Sequence, residues 1–435
     1  MTIHRRVWRM AGPIILSNVS VPLLGAVDTA VVGHLPEAYY IGAVGIGAML
    51  FNFIYFGFNC LRMGTTAPTA QAAGAEDWSE VRGMLARALF IALSIGGLLV
   101  AMQLPIAAFA FGLIEASPQV EDLGRRYFLI RVWAAPAALS TYVIIGWLYG
   151  LQDARIPLIL QITTNTINIL LDLLFVFGFD WGVEGVAAAS VIAEYTGLAL
   201  GVYFVRRRLR VMKRGETAPR LFDIPKLRRI LTLNGFIFFR TLCVVSGMAI
   251  FMAQGAKLGD LPLAANQVLY NFLQFTAFGL DGLAHAAEAL IGQAIGRRSR
   301  AAFGEAVRAV LLWSGVVAAI NVLIYWIAGT AIIALMTNIP EVRAAAAEYL
   351  PWAIAMPAVA VWAYAYDGIF LGATRADIML MSMLMSFAVY MAVMFLLLPG
   401  LDNHALWIAL TGFLGFRGLT LIAFYPRLRR GVGEG

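Results

Sequence analysis

Long uninterrupted runs of hydrophobic residues, each about the length of a membrane span, dominate the chain. A helix needs roughly 20 apolar residues to cross the hydrocarbon core of a bilayer. The runs are continuous rather than alternating, which favours helices over the strands of a membrane barrel. We therefore predict an all-α integral membrane protein with twelve spans. Their expected bounds are 10–33, 38–63, 84–112, 124–150, 157–178, 183–205, 230–256, 262–291, 305–336, 345–371, 376–398 and 404–426.

The second half of the sequence repeats the turn and glycine positions of the first half at one constant offset in numbering. Gly146 and Gly368 form one pair at this offset, and the segments QAAG and QAIG form another. We call two positions related in this way repeat counterparts. Duplicating six helices keeps both copies in the same orientation, a parallel repeat that is common in secondary transporters. We therefore expect a six-helix N-terminal lobe (1–205), a basic linker (206–229) and a six-helix C-terminal lobe with a short basic tail (230–435).

Composition and charge agree with this assignment. Hydrophobic residues make up 61% of the chain and charged residues only 13%, whereas soluble domains carry about 25% charged residues. The net charge of +7 comes from basic clusters before the first span, between the halves and after the last span. The positive-inside rule places all three clusters, and therefore both termini, in the cytoplasm. We expect a multi-pass, monomeric membrane protein, with the lipid bilayer and no nucleic acid as a partner.

Polar side chains inside the hydrophobic runs of the first half are candidate functional residues. Asp28 is a single carboxylate in the first span, and a polar face follows the fifth span at helical spacing. That face consists of Gln161, Asn165, Asn168 and Asp172. Side chains this polar face protein or a water-filled cavity rather than lipid. An interhelical hydrogen-bond seam would use the same residues, and that alternative stays open for the amides.

The eighth span carries a longer polar track at helical spacing. It consists of Gln267, Asn271, Gln274, Asp281, His285 and Glu288, with Phe278 as its apolar member. Arg240 on the seventh span can pair with Asp281 or Glu288 if the two helices are neighbours. We expect Asp367 and Arg417, which lie near the ends of their spans, to contact loops.

The two halves differ at these polar positions. The repeat counterparts of Gln161, Asn168 and Asp172 are Met383, Tyr390 and Met394. Methionine suits the recognition of varied apolar ligands because its thioether chain is flexible, although it is also common membrane filler. We predict that these three residues line the apolar part of a substrate cavity and that each lobe has its own task.

Signatures of catalysis are absent from the sequence. It contains no Walker A loop, no HExxH and no GxSxG motif. Its two cysteines fall inside predicted spans and its four histidines are scattered, so we expect no disulfide, metal or cofactor. We therefore predict a transporter rather than an enzyme, with an ion gradient as its energy source.

Four segments together resemble the multidrug and toxic compound extrusion (MATE) family, and its DinF-like branch in particular. They are VDTAVVGHL around Asp28, NILLD at 168–172, GLDGLAHAAEALIGQAIGRR at 279–298 and DGIFLGATRA at 367–376. The resemblance covers nearly the whole chain. It implies two six-helix lobes that alternate between outward-open and inward-open forms and export small molecules against inward flow of H⁺ or Na⁺. Together with the expected orientation, the resemblance implies the cell inner membrane as the protein's location.

The resemblance also implies residue roles. Asp28, Asn168 and Asp172 correspond to the family's proton- and substrate-handling residues, and Ser190 stands where relatives carry a hydroxyl in the same cluster. The looser match of Asp281, Glu288 and Asp367 to a cation site of other branches keeps Na⁺ coupling open.

Two other functions remain open at this stage. A flippase or exporter of lipid-linked or anionic compounds would use arginines in its cavity, and Arg62, Arg131 and Arg240 are candidates. A channel would need a continuous water file, for which the polar track of the eighth span is the candidate. The leading hypothesis is an H⁺-coupled exporter of amphipathic, cationic small molecules.

Overall fold

The computed structural model describes residues 2–33, 37–114, 116–212 and 221–432, and this part of the chain is almost entirely helical. A 3₁₀ turn (Val132–Ala134) and a π-helical turn (Leu174–Gly178) interrupt the α-helices. The helices are α1 (Ile3–Gly33), α2 (Ala38–Phe58), α3 (Cys60–Gly74), α4 (Trp78–Ala101), α5 (Gln103–Gly112), α6 (Pro118–Arg131), α7 (Ala135–Gly150), α8 (Arg155–Leu173), α9 (Gly182–Val211), α10 (Ile224–Lys257), α11 (Asp260–Gly296), α12 (Arg300–Met336), α13 (Pro340–Gly372) and α14 (Ala376–Gly431).

These helices match the twelve predicted spans, although several spans are divided or joined. The second span breaks at Asn59 into α2 and α3 and runs on to Gly74, and the third breaks at Met102 into α4 and α5. The last two spans form α14, which bends at Asp402. Among the described residues, nine helical runs are long and apolar enough to cross a membrane by themselves.

The chain divides into two compact units, whose bounds differ from those of the expected lobes. One unit is Leu16–Asn234, and the other combines Met1–Ile15 with Gly235–Gly435. The start of α1 therefore belongs with the second half of the chain. The basic linker and the first turns of α10 belong with the first half, while the linker residues 213–220 lie outside the described part.

The predicted repeat is visible in the backbone itself. Every non-glycine residue with positive φ in the described part of the chain has a repeat counterpart with nearly the same angle. The pairs are Glu76 (58°) with Arg298 (52°), Gln152 (59°) with Thr374 (55°), and Asp180 (55°) with Asp402 (45°). Because such conformations are uncommon for residues with a Cβ, their coincidence at three turns confirms the duplication.

Close helix packing also repeats between the halves. A Cβ on Gly146 of α7 would meet the backbone of Arg62 on α3, and a Cβ on Gly368 of α13 would meet the backbone of Ala284 on α11. Small residues at such crossings let membrane helices approach each other closely. In each half this crossing fixes the helix around which the others pack: α7 against α3, α4 and α9, and α13 against α11, α12 and α14.

Candidate functional site

A buried carboxylate on α8 is the centre of the polar cluster in the first unit. Asp172 is fully buried, and the Nδ2 of Asn168, one turn earlier, donates to its Oδ2 over 3.2 Å. The same Nδ2 lies 3.5 Å from Oγ of Ser190 on α9. We call Asn168, Asp172 and Ser190 the α8 cluster. The structure therefore brings three of the sequence-predicted site residues together.

The α8 cluster follows directly from the sequence of these two helices. Residues four apart lie on the same face of a helix, which aligns Asn168 with Asp172, and α8 packs along α9, where Ser190 lies. Directly after Leu173 the helix continues as the π-helical turn Leu174–Gly178. Such turns occur frequently at functional sites.

The amides nearer the start of α8 continue the same face. Gln161 donates to Oδ1 of Asn165 over 2.9 Å, and Asn165 in turn approaches Oγ of Ser20 on α1 at 3.3 Å. This chain of hydrogen bonds connects the polar face of α8 to α1 within the first unit. Asp28 also lies on α1, but its side chain is outside the part that the structure describes.

The second unit contains a buried ionic cluster built on a different helix. Both Arg240 of α10 and Arg417 of α14 form ion pairs with Asp367 of α13, and all three side chains are at most about one-tenth exposed. We call these three residues the Asp367 cluster. Asp281 of α11 is near enough to attract both guanidinium groups.

The Asp367 cluster differs in part from two sequence-based expectations. Arg240 forms an ion pair with Asp367, which was not expected, and the expected partner Asp281 also attracts its guanidinium group. Asp367 and Arg417, which were expected to contact loops, form an ion pair with each other. The sequence could not show this, because the pairing depends on which helices are neighbours, as with the packing of α13 against α14.

The polar track of α11 is buried at one end and exposed at the other. Glu288 is fully buried, with its Oε2 3.6 Å from Nδ1 of His285. Asn271 donates to the carbonyl of Gln267 on its own helix over 2.8 Å, and Gln274 is exposed. The track therefore does not form one continuously buried polar face.

A buried amide pair in the second unit was missed by the sequence analysis. Asn266 of α11 and Asn403 of α14 exchange hydrogen bonds of 2.7 and 2.9 Å, and Nε1 of Trp407 donates to Asn266 Oδ1 over 2.8 Å. The available signal was an asparagine in the position before Gln267. The polar track that starts at Gln267 runs along a different face of the helix and does not include Asn266.

The residues predicted to form the apolar part of a substrate cavity lie in a packed core. Met383, Tyr390 and Met394 are all fully buried in a large hydrophobic cluster of the second unit. The hydroxyl of Tyr390 donates to the carbonyl of Gly247 over 3.1 Å. In this conformation the three residues stabilise the helix packing, and their contact with substrate stays a prediction.

Comparison with known proteins identifies the family. A family model described as MatE matches residues 13–174 and 237–396. DNA damage-inducible protein F of Escherichia coli (strain K12) is 42% identical over 425 residues, which cover 97% of this chain and 92% of that protein. A probable multidrug resistance protein NorM of Thermotoga maritima is 24% identical over 64% of this chain and 61% of its own length.

The fold agrees with the sequence relatives. A solved structure described as the outward-facing conformation of a multidrug resistance MATE family transporter superposes with a TM-score of 0.87 at 17% identity, covering 99% of this chain and 96% of that chain. The twelve spans that these helices form fit that fold. This protein is thus a multi-pass membrane transporter of the MATE family and belongs to its DinF-like branch.

Proposed function

We propose that the protein is a secondary active exporter that moves amphipathic, cationic small molecules out of the cell in exchange for H⁺. The observation that carries this proposal is the α8 cluster, in which a fully buried carboxylate, Asp172, is held by Asn168 beside Ser190. The relatives named as multidrug resistance proteins support a drug-like substrate. We further propose that the protein acts as a monomer in the inner membrane with both termini in the cytoplasm.

Protonation of two carboxylates, Asp28 and Asp172, provides the coupling. Burial disfavours the charged form of a carboxylate, and a second carboxylate nearby disfavours it further. When Asp28 and Asp172 are ionised, their negative charge attracts a cationic substrate. When protons from outside the cell bind to them, the two carboxylates lose this charge and the substrate is released. Coupling requires only that proton and substrate favour the two conformations of the transporter to different extents.

Anionic or lipid-linked cargo has less support because the candidate arginines are already engaged. Arg62 donates to Oδ1 of Asn59 over 2.9 Å. Arg131 lies 3.9 Å from a carboxylate oxygen of Glu194, and Arg240 pairs with Asp367. An anionic cargo would have to displace these partners.

The charge balance of the second unit also supports coupling to H⁺ in the first. Asp367 already has two guanidinium groups as counter-charges, and a Na⁺ ion bound there would have to compete with both of them. Within the α8 cluster, by contrast, Asn168 offers Asp172 a hydrogen bond from a neutral amide, which a proton on the carboxylate does not have to displace as a charge.

Reconstituted liposomes test the proposal directly. A fluorescent organic cation is followed under an imposed pH gradient and, separately, under a Na⁺ gradient, with Asp28→Asn and Asp172→Asn run alongside. Asp122→Asn is the matched control, because this carboxylate of the same unit is 60% exposed and pairs at the surface with Arg126. We expect the pH gradient alone to drive transport, both Asp28→Asn and Asp172→Asn to lose it and the control to keep it.

Each other outcome contradicts the proposal in a recognisable way. Transport driven by Na⁺ that survives both variants would move the ion site to Asp281 and Glu288. Cation movement that needs no gradient, or single-channel conductance, would indicate a channel. Absence of cation transport, together with movement of anionic or lipid-linked compounds, would favour the flippase.

A further inference from the structure

The end of α14 is flanked by two clefts that are rich in arginine. One cleft, of about 340 Å³, lies between the ends of α11, α13 and α14 and contains Arg298, Arg375 and Arg427. The other, of about 610 Å³, lies between α14 and the start of α12. All these arginines are exposed at helix ends of the second unit. We call the cleft that contains Arg298, Arg375 and Arg427 the Arg298 cleft.

The Arg298 cleft has excess positive charge. Arg375 is paired with Asp377 at 2.9 Å. Across the described residues, neither Arg298 nor Arg427 forms an ion pair, and the guanidinium of Arg427 lies 5.7 Å from the ring centroid of Phe424. Two guanidinium groups are therefore available to an anion in one cleft.

The backbone holds these arginines in fixed positions. α11 ends with hydrogen bonds from Arg298 N to Ile295 O (2.9 Å) and from Ser299 N to Ala294 O (3.1 Å). α13 ends in the same way, with Arg375 N donating to Phe370 O over 2.9 Å. On the neighbouring side of α14, Nε of Arg300 donates to Val432 O over 2.5 Å and so fixes the end of that helix.

The repeat shows that the basic lining is particular to the second half. The same turns exist in the first half with the same backbone, but Glu76 is the repeat counterpart of Arg298 and Asp153 is that of Arg375. Closing these turns therefore requires no arginine. The two turns thus have the same backbone in both halves, but carry acidic residues in the first half and arginines in the second.

We infer that the Arg298 cleft binds the phosphate headgroup of an anionic phospholipid from the leaflet that meets the end of α14. Guanidinium groups match phosphate oxygens in a bidentate geometry, and basic pockets between the ends of membrane helices bind anionic headgroups. The remaining lining includes Ile295, Leu428 and Val432. An apolar wall beside a basic rim fits an amphiphile better than a free inorganic anion.

Lipid titration of the purified full-length protein tests this inference without any transport assay. Phosphatidylglycerol or phosphatidylcholine with the same acyl chains is added in neutral detergent, and bound lipid is counted by native mass spectrometry. The test variant is Arg298→Gln/Arg427→Gln. The matched control is Arg207→Gln/Arg208→Gln, which removes two exposed arginines from the end of α9 in the first unit, at the repeat counterparts of Arg429 and Arg430.

We expect tighter binding of phosphatidylglycerol than of phosphatidylcholine to the wild-type protein. One arginine near an anionic lipid contributes roughly fivefold in affinity, so the test variant should lose roughly 25-fold. The control should lose much less, and phosphatidylcholine binding should not change. Thermal unfolding of each variant, recorded in parallel, identifies any loss caused by misfolding.

Three results would overturn the inference. Equal losses in the test and control variants would mean that phosphatidylglycerol responds only to general surface charge. Displacement of the lipid by millimolar inorganic phosphate would assign the cleft to a soluble anion. A lower unfolding temperature with unchanged phosphatidylglycerol binding would mean that the two arginines only offset the negative ends of the helices.

Discussion

The two halves of the protein share a backbone but use their buried charges differently. In the first half Asp172 is held by an amide and lies near a hydroxyl, and its counterpart in the second half, Met394, is part of an apolar core. In the second half Asp367 is held by two guanidinium groups, and its counterpart in the first half is Ile145. Turns and helix crossings survived the duplication while the charged positions diverged. Backbone geometry was therefore retained as a framework on which each lobe acquired its own chemistry.

The strongest test of this difference removes the acid of the Asp367 cluster. Asp367→Asn leaves two buried guanidinium groups without their carboxylate, which should cost about 3–5 kcal/mol of stability. Thermal unfolding of the full-length protein in detergent measures the loss. The triple variant Arg240→Met/Asp367→Leu/Arg417→Met should recover part of it, because the three charges of the cluster are then replaced by apolar groups while Asp281 loses the guanidinium groups that attract it.

The counterpart position provides the control for that experiment. Ile145→Val removes one methyl group from a buried site and should cost only about 0.5–1.5 kcal/mol. If Asp367→Asn cost no more than this, the ionic cluster would not stabilise the second unit.

A second test separates transport from stability. Asp172→Asn should lower transport driven by a pH gradient roughly 5- to 150-fold, the range of typical coupling energies. Its effect on unfolding temperature should be small, since asparagine keeps the shape and a hydrogen-bonding oxygen. Asp367→Asn should show the reverse pattern: its unfolding temperature should fall, while the protein that remains folded should still transport substrate under a pH gradient. Initial rates in liposomes, normalised to folded protein, provide the measurement, and equal transport losses in both variants would contradict the division of tasks.

A third test concerns the close helix crossings that both halves share. Gly146→Ala and Gly368→Ala each force a Cβ against the backbone of the facing helix, and each should cost about 1–3 kcal/mol. Gly97→Ala in α4 is the control, because nothing lies within 4 Å of its Cβ position. That substitution should be neutral or slightly stabilising. If only one of Gly146→Ala and Gly368→Ala lowered the unfolding temperature, the two helix crossings would no longer be equivalent.

The smallest effect is expected at the helix caps. The side chain of Asp77 accepts a hydrogen bond from Glu80 N over 2.9 Å, and its counterpart Ser299 accepts one from Ala302 N over 3.2 Å. Asp77→Ala and Ser299→Ala should each cost about 1 kcal/mol. Chemical denaturation of the two variants, compared side by side, tests whether an aspartate and a serine are equivalent at this turn.

Features that depend on local sequence were predictable. Hydrophobic runs located the helices, the constant offset between matching turns located the repeat, and the one-turn spacing aligned Asn168 with Asp172. Features that depend on which helices are neighbours were not. The partner of Arg240 comes from α13, and the partner of Asn266 lies 137 residues away on α14. No periodicity within a single helix encodes such contacts.

The division of α1 between the two units has a consequence for how the protein is made. Residues 1–15 belong with the second half, where Arg6 donates to Gln293 over 2.7 Å and Trp313 donates to His4 over 3.2 Å. At about 5–20 residues per second, a ribosome needs roughly a quarter of a minute to a minute to reach Gln293 after Arg6. During this time the start of α1 must remain in the membrane without its final neighbours. Residues 1–15 thus reach their native contacts long after their own synthesis, and the second unit can be completed only when the helices of the second half have been inserted.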